Sequence, residues 1–187
     1  MSSLILINGA PGSGKSTLAR LLVDEQPLAL LLDIDTLRGQ LGQWSADPQA
    51  AGMTARRLAL AMIRTHLEAG LDVVVPQFLF RSPFIVELER VAGVAGGRFV
   101  EIALVSSSEE AAARFEARAE SADPNHRDAV QLQRAAGARP IEELYREMIA
   151  MLRQERPATR FVESVPGDIL QTLISVRAAI RGGTSAG

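Results

Sequence analysis

Leu4-Ile5-Leu6-Ile7-Asn8-Gly9-Ala10-Pro11-Gly12-Ser13-Gly14-Lys15-Ser16-Thr17 decides the fold. Leu4 to Asn8 is a short apolar run without alternation, the pattern of a strand buried on both faces. Leu18-Ala19-Arg20-Leu21-Leu22-Val23 continues with helical spacing. Between strand and helix, Gly9-x4-Gly14-Lys15-Ser16 matches G-x-x-x-x-G-K-[ST] in full. Glycines let the backbone curl round a phosphate with its N–H groups aimed inward, and the helix that follows adds its positive end to the same anion. Gly9, Ala10, Pro11, Gly12, Ser13, Gly14, Lys15, Ser16 and Thr17 are therefore the expected cradle of ATP phosphates. Lys15 would reach the β- and γ-phosphates, and the Ser16 hydroxyl would complete a Mg²⁺ shell.

Composition supports that focus. Of the 20 basic residues, 19 are Arg, and the single lysine is Lys15. Lys is a compact point charge on a slim stem, whereas Arg carries a wide planar fork, so a site that keeps Lys selects for shape as well as charge.

Outward from the loop, strand and helix alternate. Leu28 to Leu32 reads as a second strand closing on Asp33-Ile34-Asp35. Thr54 to Ala69 reads as a helix with Leu58 and Met62 on its apolar face, stopping at Gly70. Val73-Val74-Val75 is a third strand, ended by Pro76, and a helix begins near Pro83. Phe99 to Val105 is a fourth strand, followed by a helix with the capping box Ser107/Glu110. Residues 120–128 read as a loop, Ile141 to about Leu152 as a helix, Phe161-Val162 as the start of a fifth strand, and Asp168 to Ile180 as a last helix. Five alternations call for a five-stranded parallel sheet with helices on both faces, because parallel strands need crossovers. The expectation is an α/β domain of P-loop NTPase, nucleoside-kinase-like architecture with a short lid, spanning 1–180, with 181–187 a frayed tail.

The 187 residues correspond to about one domain. No cysteine is present, which excludes disulfides, Cys-ligated metals and a thiol nucleophile. The net charge of −2 argues against a nucleic-acid partner, since nucleic-acid-binding domains are usually basic. No apolar run reaches the roughly 18 residues of a membrane span, so a cytoplasmic protein is expected, without a membrane partner. Oligomeric state is not readable from the chain.

Ligands of such sheets gather at the carboxyl ends of the strands. There Asp35 can take the proton of an acceptor hydroxyl, and Arg38, three residues on, can lie over it or bind an anionic acceptor. Asp35 could instead cap a helix, and Asp33 could make a supporting hydrogen bond or join Ser16 at the metal. Arg114 and Arg118 lie four apart on one face of the helix after strand four, where Glu110–Arg114 is also an ordinary helix pair. Residues 111–160 hold nine arginines against eight acids, a mixed surface rather than a basic patch. Arg127 and His126 fall in the loop. His66 reads as a structural residue. Trp44 and Phe78-Leu79-Phe80 could stack on a planar acceptor, with core packing the simpler role.

Gly-Ala-Pro-Gly-Ser-Gly-Lys-Ser-Thr at 9–17, with Asp35-Thr36-Leu37-Arg38 after it, resembles the small P-loop kinases. These are the phage-type 5′-hydroxyl polynucleotide kinases and the chloramphenicol phosphotransferase-like proteins of the AAA-type ATP-binding kinase group. The resemblance covers residues 4–38 and, loosely, 98–120. It implies that Asp35 is the general base, that Arg38 binds a substrate phosphate as in the polynucleotide kinases, and that Arg114 and Arg118 close over ATP. Many relatives carry an acid after strand three where this chain has Gln77, which leaves Mg²⁺ to Ser16 and Gln77 to orient a polar acceptor. The leading expectation is an ATP- and Mg²⁺-dependent kinase acting on a hydroxyl of a small molecule, with Lys15, Asp35 and Arg118 catalytic. The alternatives are a 5′-hydroxyl polynucleotide kinase and a non-catalytic ATP-binding regulatory domain.

Overall fold

The computed structural model describes residues 1–106, 139–165 and 167–182. The capping box at Ser107 and Glu110, the lid candidates Arg114 and Arg118, and His126, Arg127 and the tail 183–187 lie outside the described residues.

The elements are β1 (Ser3–Asn8), α1 (Lys15–Val23), β2 (Leu30–Leu31), α2 (Ile34–Gly39), a 3-10 turn (Trp44–Ala46), α3 (Pro48–Glu68), β3 (Val73–Gln77), α4 (Pro83–Val94), β4 (Arg98–Val105), α5 (Ile141–Glu155), β5 (Arg160–Glu163) and α6 (Ile169–Arg181). The sheet is five-stranded and parallel, in the order β2-β3-β1-β4-β5. This is the α/β architecture of P-loop NTPases and kinases. Among the described residues, no helix is long and apolar enough to cross a membrane.

Two compact units make up the chain. The first comprises Met1–Ile7, Ser16–Gln77 and Pro83–Val100. Its buried residues include Leu4 to Ile7, Leu18, Ile63, Leu67, Val73 to Val75, Ile85 and Leu88. A fully buried side chain of this size contributes about 1.5–3 kcal/mol relative to exposure. The second comprises Asn8–Lys15, Phe78–Ser82 and Glu101–Gly187. Its buried residues include Ile102, Leu104, Met148, Leu152, Val162 and Val176. Within it, the Tyr145 hydroxyl donates to the Ser106 carbonyl and accepts from the Ser106 N–H, both at 3.0 Å, joining the end of β4 to α5.

Several boundaries differ from the sequence reading. β2 is only two residues long, because Leu28 takes φ 61° and its carbonyl is bound by His66 Nε2 at 2.8 Å. That contact gives His66 the structural role expected of it. α3 begins at Pro48, not Thr54, because Asp47 caps it by accepting from Ala50 N at 2.9 Å. Its buried face is a ladder of five residues spaced four apart, Ala51, Ala55, Ala59, Ile63 and Leu67, while Leu58 and Met62 are exposed.

Pro76 does not end β3. The carbonyls of Asp72 and Val74 accept from Leu30 and Leu32, so even-numbered residues turn their peptide groups toward β2. Pro76 is next in that series and has no N–H to donate toward Leu32, and the β2–β3 pairing stops there, its last pair being Leu31 and Val74. The strand itself nonetheless runs on to Gln77, its last residue.

Candidate active site

In the second unit, the chain leaves β1 at Asn8, which is fully buried. Asn8 Oδ1 accepts from Gly9 N and Leu79 N, both at 2.9 Å, and Asn8 Nδ2 donates to the Leu79 carbonyl at 2.9 Å. One carboxamide thus ties the first residue of the glycine-rich loop to the segment after β3. Sequence reasoning missed Asn8. A buried Asn just before the first glycine is the signal that would have found it, since a buried amide demands partners.

The loop then closes on itself. The Ala10 carbonyl accepts from Ser13 N at 3.2 Å and from Lys15 Nζ at 2.8 Å, and Lys15 is buried. A Cβ at Gly9 would come within 2.9 Å of Ser13 Oγ and 3.1 Å of Leu104 Cβ, so only glycine fits. Gly14 has φ 88°, a region that L side chains rarely adopt, and a Cβ there would meet Ile169 Cδ1 at 3.1 Å. Ser13 Oγ is buried and has no hydrogen-bond partner among the described residues. Ser16 and Thr17, in the first turn of α1, are exposed.

A pocket of about 250 Å³ lies beside the loop, lined by Gly12, Ser13, Gly14, Ser164, Val165 and Ile169 among others. Ser164 Oγ donates to the Ser13 carbonyl at 3.2 Å. Thr172 Oγ1 accepts from Val165 N at 3.0 Å and donates to the Asp168 carbonyl at 3.1 Å, while Asp168 caps α6 through Gln171 N. None of Ser164, Val165 or Ile169 carried a motif, so the sequence reading did not find them.

In the first unit, Asp33, Asp35, Arg38 and Gln77 come together. Asp33 is the residue that caps α2, with Oδ1 accepting from Asp35 N at 2.9 Å and Thr36 N at 3.1 Å. Such a cap contributes about 1 kcal/mol. The capping role weighed for Asp35 thus belongs to Asp33, and Asp35 is left to other partners. Arg38 Nη1 stands 3.5 Å from Asp35 Oδ1, and Gln77 Nε2 donates to Asp35 Oδ2 at 3.2 Å. Both carboxylate oxygens are held, yet the side chain is 52% exposed. The Arg38 guanidinium carbon lies 5.0 Å from the centre of the Trp44 ring, a cation–π contact. Arg38 Nε and Gln77 Oε1 are buried without hydrogen-bond partners among the described residues. Leaving such an atom unpaired costs about 1–3 kcal/mol.

Phe78 and Phe80 pack on each other at 5.8 Å, with Arg81 over Phe80, and Leu79 is buried. Trp44 is half-buried and stands outside the core. Arg114 and Arg118 lie outside the described residues.

Residues 4–140 match a family model described as an AAA domain. No curated protein matches the chain by sequence. Among solved structures, a gluconokinase from Sinorhizobium meliloti 1021 is 20% identical, with 96% of this chain and 90% of that one covered and a TM-score of 0.58. The Deinococcus radiodurans tunicamycin resistance protein is 18% identical over 97% of this chain and 96% of its own, with a TM-score of 0.63. A structure from the PezAT chromosomal toxin-antitoxin system of Streptococcus pneumoniae is 13% identical, covering 87% and 68%, with a TM-score of 0.62. At these identities the likeness is one of fold.

Proposed function

The chain belongs to the AAA domain family, and from that premise we propose that it is an ATP- and Mg²⁺-dependent phosphotransferase acting on a hydroxyl of a small molecule. The observation that carries this reading is the Asp35 carboxylate, paired with Arg38 at 3.5 Å through one oxygen, accepting from Gln77 at 3.2 Å through the other, and still half exposed. A group that takes a proton from an alcohol must be held in one orientation and be reachable, and this one is both. A plain hydrolase would need a residue that positions water, and the sequence offers no good candidate for one.

The loop residues suit a nucleotide phosphate. Ser13 Oγ is a buried hydroxyl without a hydrogen-bond partner among the described residues, and Gly14 at φ 88° gives the loop the tight turn a phosphate cradle needs. When bound, Mg·ATP supplies the phosphoryl group and a metal that spreads its charge. Lys15 would exchange its bond to the Ala10 carbonyl for the β- and γ-phosphates. Ser16 is the residue that would hold Mg²⁺ through its hydroxyl. Asp35 accepts the acceptor's hydroxyl proton, while Arg38 and Gln77 keep the carboxylate from rotating. The 250 Å³ pocket beside Gly12 and Ile169 would take the remainder of the nucleotide. Arg114 and Arg118 are proposed as the cations that close over the phosphates.

The test is ADP release from Mg·ATP with sugars, nucleosides, hydroxylated antibiotics and a 5′-hydroxyl oligonucleotide, with Asp35→Asn beside the wild type. One small-molecule class should stimulate release, and Asp35→Asn should cut that stimulation by about 100-fold or more with ATP affinity nearly unchanged. Stimulation by the oligonucleotide alone would make the protein a polynucleotide kinase. Tight ATP binding with no stimulation by anything would make it a nucleotide-binding regulator.

A further inference from the structure

A second concavity, about 440 Å³, opens in the first unit between the 3-10 turn and the start of α3. Leu41, Trp44, Asp47, Ala50, Ala51 and Thr54 are among its walls. Its volume is in the range of small-molecule sites. Arg38 bridges it to the candidate base, with Nη1 3.5 Å from Asp35 and the guanidinium carbon 5.0 Å from the Trp44 ring. The residue before Trp44 is held in an unusual state. Gln43 sits at φ 52°, ψ 30°, the left-handed region, which costs a non-glycine residue of order 1 kcal/mol. The turn that presents the indole is therefore bent against local preference.

The wall chemistry selects a ligand class. Leu41, the Trp44 ring and three alanines offer flat apolar surface and no bulk. Asp47 is the only charged residue of the lining; the Arg38 guanidinium, which lies over the Trp44 ring, is paired with Asp35. The N–H of Ala50, which could have greeted an anion at the start of α3, is already spent on Asp47 Oδ1. An anionic group entering here would meet a carboxylate, and an uncharged ring would meet a stacking surface.

We propose that this concavity receives an uncharged aromatic or heteroaromatic ring of the phosphoryl acceptor, stacked on Trp44, while a hydroxyl elsewhere on the same molecule is presented to Asp35. This rests on the phosphotransferase reading for the fate of the hydroxyl, but not for the binding of the ring.

Trp44 is the only tryptophan in the chain, so intrinsic fluorescence reports the pocket without any turnover. The probes are two matched series: ribose, uridine and orotidine, and the methyl, phenyl and 4-carboxyphenyl glucosides. Each series keeps its sugar and changes only the appended group from ring-free, to neutral ring, to anionic ring. Uridine, phenyl glucoside or both should shift or quench Trp44 emission saturably, with the ring-free members silent and the anionic members weaker. Asp47→Asn retains the capping oxygen and should bring the anionic members up to the neutral ones. In the ADP-release assay, Trp44→Ala should raise the KM of a stimulating ring-bearing acceptor about tenfold with little change in kcat.

Emission that ignores both neutral-ring probes, or follows the ring-free sugars equally, overturns the proposal. So does ADP release driven by ring-free polyols and indifferent to Trp44→Ala, although the phosphotransferase reading then stands. Saturable emission changes with no ADP release from any acceptor would leave the ring site in place and sink the phosphotransferase reading.

Discussion

Around the glycine-rich loop, Asn8, Ser13 and Lys15 are buried, and the backbone is tied down by Asn8, Lys15 and Ser164. Around Asp35 the chain is looser. The carboxylate is half exposed, β2 supplies only two residues before it, and two buried polar atoms, Arg38 Nε and Gln77 Oε1, have no partners among the described residues. The loop is a tool finished before its ligand arrives, whereas the Asp35 cluster holds unmet hydrogen-bonding capacity that a particular acceptor or ordered water would satisfy. A phosphate is the same anion in every nucleotide, so a fixed cradle suits it. An acceptor is individual, and the residues proposed to meet it, Asp35, Arg38 and Gln77, lie in the looser region.

That contrast can be broken most directly at Asn8. Asn8→Ala strands Gly9 N, Leu79 N and the Leu79 carbonyl, and should lower stability by about 3 kcal/mol in urea unfolding, since each buried orphan costs about 1–3 kcal/mol. ATP affinity should fall with it. A variant of wild-type stability would mean that the loop is not pre-tied by this residue.

Gln77→Glu probes the other region more gently. It places a second carboxylate where an amide now donates to Asp35 Oδ2 at 3.2 Å. Two such acids cannot both ionise easily, so one proton of the pair should be held to higher pH, by about one unit or more. The acid limb of the pH–rate profile should move toward neutrality, with ATP affinity retained. An unmoved limb would separate Gln77 from the base.

The smallest effect is expected outside both regions. Glu147 accepts from Arg139, and that hydrogen bond, with the charges of Arg139 and Arg81, holds its carboxyl below the usual glutamate value. A depressed carboxyl adds stability that is complete above the unfolded pKa and disappears as pH falls through the folded one. Glu147→Gln should therefore flatten the stability curve slightly between about pH 5 and pH 3, measured by thermal melts. An identical curve would assign this exposed cluster no part in acid stability.

The fold was legible because its strongest signals are local. Four apolar residues before Asn8 and the helical spacing after Lys15 define β1, the loop and α1 with no knowledge of partners. Pro76 reads as a strand breaker, yet the strand runs through it to Gln77 and only the pairing with β2 stops there. The ladder Ala51, Ala55, Ala59 was passed over for Leu58 and Met62 because volume is easier to read than contact. At the site, Asp35 and Arg38 were visible as a helical pair. Gln77's bond to Asp35 spans 42 positions and Asn8's to Leu79 spans 71, and nothing in a string of letters announces either.

The solitary lysine also gives the molecule an unusual chemical face. With Lys15 buried against the loop's own carbonyl, the described surface carries positive charge almost wholly as guanidinium. Acylating reagents and enzymes that modify ε-amines would find one target, and reaching it means opening the phosphate loop. Every lysine-directed mark on this chain would thus be a report on whether that loop was empty.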